Sequence, residues 1–130
     1  KLPLHITEFD INTPDDALQA DYLRDFLIAC YSHPAVTGFV MWGFWQPRHW
    51  NPDAALFRAD WSAKPNAAVW RDLVLRQWRT RAEGATDARG EFALRGHLGR
   101  YDVTVTHQGR TTRRSFQLDR ARGSAAVTLP

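Results

Sequence analysis

Leu4-His5-Ile6-Thr7-Glu8-Phe9-Asp10 is a strand-like run that closes on two carboxylates, and Gly38-Phe39-Val40-Met41-Trp42-Gly43 is a second, uncharged run that closes on tryptophan. The segment between them reads as a helix. Thr13-Pro14-Asp15-Asp16 supplies its start: Thr13 is the expected cap, Pro14 suits the first turn, and the aspartates favour the positive end of the helix dipole. Leu18, Tyr22, Phe26 and Cys30 then recur every fourth residue as an amphipathic stripe, to about Ser32, where His33-Pro34 stops the helix. An uncharged second strand suits a parallel sheet covered on both faces. The unit is therefore strand–helix–strand, with a carboxylate at one strand's carboxyl end and an indole at the next.

A long segment from Phe44 to Ala63, rich in Trp, His, Arg and Pro, leads to a second helix opening at Ser62-Ala63-Lys64-Pro65. Val69, Trp70, Leu73, Val74 and Gln77/Trp78 are its expected buried side. This βαβα order amounts to a quarter of an eightfold (β/α)8 TIM barrel, a fold that keeps its chemistry at the carboxyl ends of its strands. Lys1-Leu2-Pro3 runs straight into the first strand, with no signal peptide ahead of it, so the sequence reads as one that starts inside a domain.

Beyond Arg79 the period changes to two. Glu91–Arg95, Tyr101–Thr106, Ser115–Leu118 and Ala125–Leu129 read as four strands of a small antiparallel, β-sandwich-like module, with turns at Asp87–Gly90, Gly96–Gly99, Gln108-Gly109 and Arg122–Ser124. Charge changes at the same place: residues 1–78 carry a net −2 and residues 79–130 a net +5, and all six tryptophans lie between Trp42 and Trp78. The expected domains are 1–80, α/β, and 81–130, the β module.

Several function classes are disfavoured. No apolar run reaches the roughly 20 residues that span a bilayer. Cys30 is the only cysteine, which rules out an intrachain disulfide, and its apolar helical context suits a buried, inert thiol. The histidines lack metal-ligand spacing and no glycine-rich phosphate loop occurs, so no metal and no cofactor are expected. The basic tail carries no nucleic-acid motif.

Glu8 and Asp10 are two apart on a strand and so share a face, about 7 Å apart along the backbone. A retaining glycosidase uses one carboxylate as nucleophile and a second carboxyl about 5–5.5 Å away as acid/base. On local spacing, Glu8 fits the nucleophile, but both residues also fit a merely polar strand end. Trp42, Trp45 and Trp50 crowd one strand end and its loop, where indoles can stack on sugar faces, while Gln46, Arg48 and His49 can bond hydroxyl groups. Core packing is the other use of such tryptophans, and it suits Trp70 and Trp78.

Ile6-Thr7-Glu8-Phe9-Asp10, then Trp42-Gly43 and Trp50, together with Asn51–Phe57, Trp61 and Lys64-Pro65, resemble the end of the catalytic barrel of glycoside hydrolase family 10, the endo-β-1,4-xylanases. The resemblance covers residues 1 to about 78 and implies the last two βα units of the barrel. It implies that Glu8 is the catalytic nucleophile, that Asp10 joins a relay to it through a histidine, and that Trp42 and Trp50 line the sugar subsite before the scissile bond. It also implies a xylan or xylo-oligosaccharide substrate and a secreted or cell-surface setting.

The departures matter equally. The family's acid/base glutamate sits in an Asn-Glu pair, which does not occur here; the other glutamates, Glu83 and Glu91, lie in the tail. The relay histidine is missing, and His5 lies on the opposite strand face from Glu8. The sequence thus reads as a carboxyl-terminal fragment carrying the nucleophile without the proton donor, or as a non-catalytic glycan-binding or structural remnant. The tail resembles small transthyretin-like or carboxypeptidase-regulatory-like β modules, with a structural appendage preferred over a carbohydrate-binding module. Arg110, Arg113 and Arg114 suit either acidic xylan substituents or a solvated edge strand.

Overall fold

A computed structural model describes residues 2–121 and 123–125. The chain divides into two units, Lys1–Trp78 and Arg79–Pro130. Among the described residues the first is mixed α/β and the second β in character, each with one two-stranded sheet.

In the first unit β1 (Leu4–Phe9) is followed by α1 (Asp16–Ser32), β2 (Val36–Met41) and α2 (Pro65–Asp72). β1 and β2 pair in parallel, with Leu4 opposite Val36, Ile6 opposite Phe39 and Phe9 opposite Met41, and with irregularities between these pairs. The ladder extends at both ends, where Leu4 N–H donates to Ala35 O at 2.7 Å and Trp42 N–H donates to Phe9 O at 2.9 Å. Pro65 opens α2, as its fixed φ and missing N–H favour. A wide π turn, Leu73–Gln77, continues α2 to Trp78.

Helix α1 forms where the sequence places it, but two details differ. Its cap is Asp15, not Thr13: Asp15 Oδ1 accepts from the N–H groups of both Ala17 and Leu18 at 3.0 Å. Thr13 Oγ1 instead accepts from Asp15 N–H at 3.2 Å, holding the capping residue in place. The buried stripe is also not Leu18–Tyr22–Phe26–Cys30. Gln19, Ala20, Leu23, Leu27 and Cys30 are buried, while Leu18 and Tyr22 are more than half exposed. A strict spacing of four drifts around a helix that turns every 3.6 residues, so one stripe cannot serve the whole length. Leu23 and Leu27 join Leu56, Ala67 and Leu73 in the core. Phe26 and Tyr22 serve β1 instead, stacking with Phe9 at ring separations of 4.8 and 6.3 Å. Burial raises the Cys30 thiol pKa above its usual value.

The other face of the sheet is open. Phe9, Phe39 and Met41 pack on the core, and the residues that alternate with them, Glu8, Val40 and Trp42, are exposed.

The second unit contains one antiparallel hairpin, β3 (Gly99–His107) and β4 (Arg110–Leu118). Gln108 and Gly109 both have positive φ, 47° and 76°, the condition for the tight hairpin turn whose twist matches its strands. Tyr101 and Phe116, paired across the ladder, stack at 5.2 Å. The expected strand Glu91–Arg95 does not form. Asp87 Oδ1 accepts from the N–H groups of Arg89 and Glu91, which turns the start of this segment back on itself instead of into a ladder. Among the described residues the unit is therefore a hairpin with an irregular lead-in, not a four-stranded sandwich; all but Ala125 of the expected strand Ala125–Leu129 lies outside them.

Gln19 is 1% exposed and is a hydrogen-bond hub. Its Nε2 donates to Ile11 O at 2.8 Å and Asp53 O at 2.7 Å, and its Oε1 accepts from Asn66 Nδ2 at 2.9 Å. Replacing Gln19 by Leu adds apolar surface but removes three hydrogen bonds, one of them to the buried Asn66, so Gln19→Leu should lose about 1–3 kcal/mol in urea unfolding. A stability equal to wild type would show that the hub is dispensable.

Candidate active site

Glu8 lies near the carboxyl end of β1, exposed, its carboxylate with no hydrogen bond or ion pair among the described residues. Asp10 follows just past the strand's end and is half-buried. Its Oδ2 accepts from Trp50 Nε1 at 2.7 Å, a bond spanning forty residues of sequence. Trp42, at the matching end of β2, is 46% exposed, and Trp50 is 71% exposed. Glu8, Asp10 and Trp42 therefore lie at the same end of two parallel strands, and Trp50 is drawn to them by Asp10.

The loop that carries Trp50 doubles back on itself. Phe44 O accepts from the N–H groups of Leu56 and Phe57 at 3.0 and 2.8 Å, and Gln46 N–H donates to Phe57 O at 2.9 Å. Gln46 Oε1 accepts from Ala59 N–H at 3.1 Å. Trp45 lies against Trp61, with ring centres 4.9 Å apart and planes 10° apart. Trp61 reaches this position with φ at +67°, a rare conformation for a bulky residue. A tight turn imposes it: Trp61 N–H donates to Arg58 O at 2.9 Å and Ser62 N–H to Asp60 Oδ1 at 2.9 Å. Hydrogen bonds from the Ser62 hydroxyl, and secondarily its N–H, hold the Asp60 carboxyl below its usual pKa. Arg48 is exposed in a short 3₁₀ turn, Gln46–Arg48.

His49 is 8% exposed and sits under the strand end rather than above it. Its Nδ1 accepts from Asn51 N–H at 3.1 Å. Its ring fills the space where a Cβ on Gly43 would lie, 2.7 Å from Cδ2, and Gly43 has φ +94°. Only glycine allows both the backbone turn and the imidazole. His49 thus wedges between the residue after Trp42 and the residue after Trp50.

The base of the loop is anchored by residues that local patterns do not single out as functional. Lys64, 6% exposed, donates from Nζ to Asp53 O at 2.8 Å and pairs with Asp16 Oδ1 at 2.9 Å. Arg58 pairs with the other oxygen of Asp16. The local sequence gives Asp16 only a helix-dipole role; its two cationic partners sit more than forty residues away, which no local pattern signals. Among the described residues no three His, Cys, Asp or Glu side chains gather as a metal site, and no helix is long and apolar enough to cross a membrane.

The model of the family described as glycosyl hydrolase family 10 matches residues 1–72. The chain belongs to that family. Over 127 residues, 97% of its length, it is 39% identical to the anti-sigma-I factor RsgI6 of Acetivibrio thermocellus, of which it spans 16%. It is 31% identical over 130 residues to endo-1,4-beta-xylanase 1 of Arabidopsis thaliana, spanning 14% of that protein, and 27% identical over 128 residues to endo-1,4-beta-xylanase 3, spanning 17%. The family 10 chain thus covers a small part of each of these relatives, and the alignments run through its second unit as well as its first.

The wedge under the site makes a testable demand. Gly43→Ala should destabilise the chain by about 1–3 kcal/mol and alter the near-ultraviolet circular dichroism of its tryptophans, because the added Cβ must displace His49. An unchanged spectrum and stability would show that His49 imposes no constraint on the loop.

Proposed function

We propose that residues 1–78 are the last two βα units of a (β/α)8 barrel in an endo-β-1,4-xylanase that acts with retention of configuration, and that Glu8 is its nucleophile. Glu8, Asp10 and Trp42 at one end of two parallel strands, in a chain of family 10, carry this reading. Three Arabidopsis relatives bear the name endo-1,4-beta-xylanase, which supports xylan as the substrate and, since xylan lies outside the cell, a secreted or cell-surface setting.

The chemistry follows from the exposed carboxylate. Ionised Glu8 attacks the anomeric carbon as the glycosidic bond breaks, and a covalent glycosyl–enzyme forms. A second, protonated carboxyl about 5–5.5 Å from Glu8 must give its proton to the leaving oxygen and later take one from water. Asp10 is poorly placed to be that acid, because it lies one strand repeat along the same chain segment and one of its oxygens is held by Trp50. Since the family's Asn-Glu pair does not occur in this sequence, on this reading the proton donor comes from outside the chain, and the isolated chain is expected to be inactive. Trp42 and Trp50 offer indole faces to the sugar, and Arg48 is exposed to bond its hydroxyl groups. Gln46, Trp45 and His49 support the loop that presents them. The second unit acts as an appendage of the barrel.

A second reading is glycan binding without turnover. It is favoured by the 39% identity to a protein named as an anti-sigma-I factor, a name that denotes regulation rather than hydrolysis.

One substitution separates the two. In the complete gene product, Glu8→Gln should lower xylan hydrolysis at least about a thousandfold while leaving xylan binding in place. Equal hydrolysis by both forms would remove Glu8 from the nucleophile's role. Binding by both with hydrolysis by neither would establish the second reading.

A further inference from the structure

We infer that Asp10 is a positioning residue for Trp50, fixing the plane of its indole and leaving only the ring face to meet a sugar. The inference rests on the reading of Trp50 as a sugar-stacking plate and deepens it.

Trp50 is the most exposed of the site's tryptophans, at 71%, and among the described residues no other ring packs on it. Its backbone is held by the short turn that ends at His49 and by the Asn51 N–H to His49 bond. Among the described residues the side chain has one hydrogen bond, the 2.7 Å bond from Nε1 to Asp10 Oδ2. Contact area does not immobilise an indole this exposed, so the hydrogen bond to a carboxylate, the stronger class of such bonds, decides where the ring points.

The bond also determines what Trp50 can recognise. An indole has a single donor and no acceptor. With that donor taken by Asp10, Trp50 has no hydrogen bond to offer a hydroxyl group and reads a pyranose only by its apolar face. Discrimination between hydroxyl patterns at this subsite must come from other residues. The same bond ties the plate to the strand of Glu8, because Asp10 lies two residues beyond Glu8, just past the end of β1. Trp50 and the nucleophile are thereby held as one unit.

Without Asp10, the sugar has to order the indole when it binds. The cost of immobilising one side chain corresponds to a loss of about two- to twelvefold in affinity.

The test is a double-mutant cycle in the complete gene product carrying Glu8→Gln, so that the sugar is not cleaved, read as its dissociation constant for xylohexaose. Asp10→Ala and Trp50→Phe should each weaken binding by about two- to twelvefold, and the double variant should be no worse than the weaker single one, since both remove the same bond. Asp10→Asn keeps an acceptor oxygen and should stay within about twofold of wild type. Additive losses would overturn the inference, because they would mean that the indole N–H serves the sugar rather than Asp10.

Trp50→Ala checks the underlying reading separately. If it binds as tightly as the form with Trp50 in place, Trp50 is not a sugar plate and the recognition half of the inference falls with that reading. The positioning half is read without sugar, from solvent exchange of the Trp50 indole proton by NMR, assigned with Trp50→Phe. Exchange should be slow in wild type and Asp10→Asn and at least several-fold faster in Asp10→Ala. Equal exchange rates in all three would overturn it.

Discussion

The first unit depends on Gln19, a polar side chain buried where a helix would ordinarily place leucine. Its amide binds the carbonyls of Ile11, just past β1, and Asp53, deep in the long loop, and its oxygen takes an N–H from Asn66 on α2. Asn66 in turn reaches Ala55 O at 3.3 Å, and Lys64 adds a second donor to Asp53 O. The loop after β2 turns inward at Ala54–Leu56, all three of which are buried. Its backbone carbonyls there have lost water and need partners. Gln19, Asn66 and Lys64 are those partners. A leucine could fill the space but could not satisfy the loop, and the loop is what delivers Trp50 to Asp10.

The site above this network contrasts a held base with open groups. At the base of the loop several contacts interlock: His49 against Gly43, Trp45 against Trp61, Asp16 between Arg58 and Lys64. Above them Glu8, Trp42 and Trp50 are open to solvent. A rigid floor under exposed reactive and stacking groups is the arrangement that keeps such groups aligned without burying them. The open face of a two-stranded parallel sheet has a further implication, since parallel sheets occur almost only with both faces covered. Leu4 and Val40, each at least half exposed, are residues of the kind that such a covering buries.

Much of the fold was legible because it is local. The two strands, the helix between them, Pro65 at the start of α2, and the Gln108-Gly109 turn each follow from residues within a few positions of one another. The differences arose where a pattern had more than one solution. Thr13 and Asp15 are both good caps, and side-chain geometry selected Asp15. Tyr22 and Phe26 offer apolar surface as Leu23 and Leu27 do, and the helix divides them between β1 and the core. Glu91–Arg95 alternates like a strand, yet alternation alone supplies no ladder partner, and the turn at Asp87 takes the Glu91 N–H.

Part of the chemical inventory could be read from the linear chain: a pair of carboxylates two residues apart at one strand's end, tryptophans at the next strand's end, and the family to which that combination belongs. Spacing along a strand is rigid, so those alignments needed no tertiary information. How the inventory is held emerged only on folding. Asp10 meets Trp50 across 40 residues, Gln19 meets Asp53 across 34, and Asp16 at the start of α1 meets Lys64 at the start of α2. Such pairings depend on where a long loop closes. Closure is set by the sum of buried carbonyls, ring stacks and one glycine's positive φ, none of which a local pattern encodes.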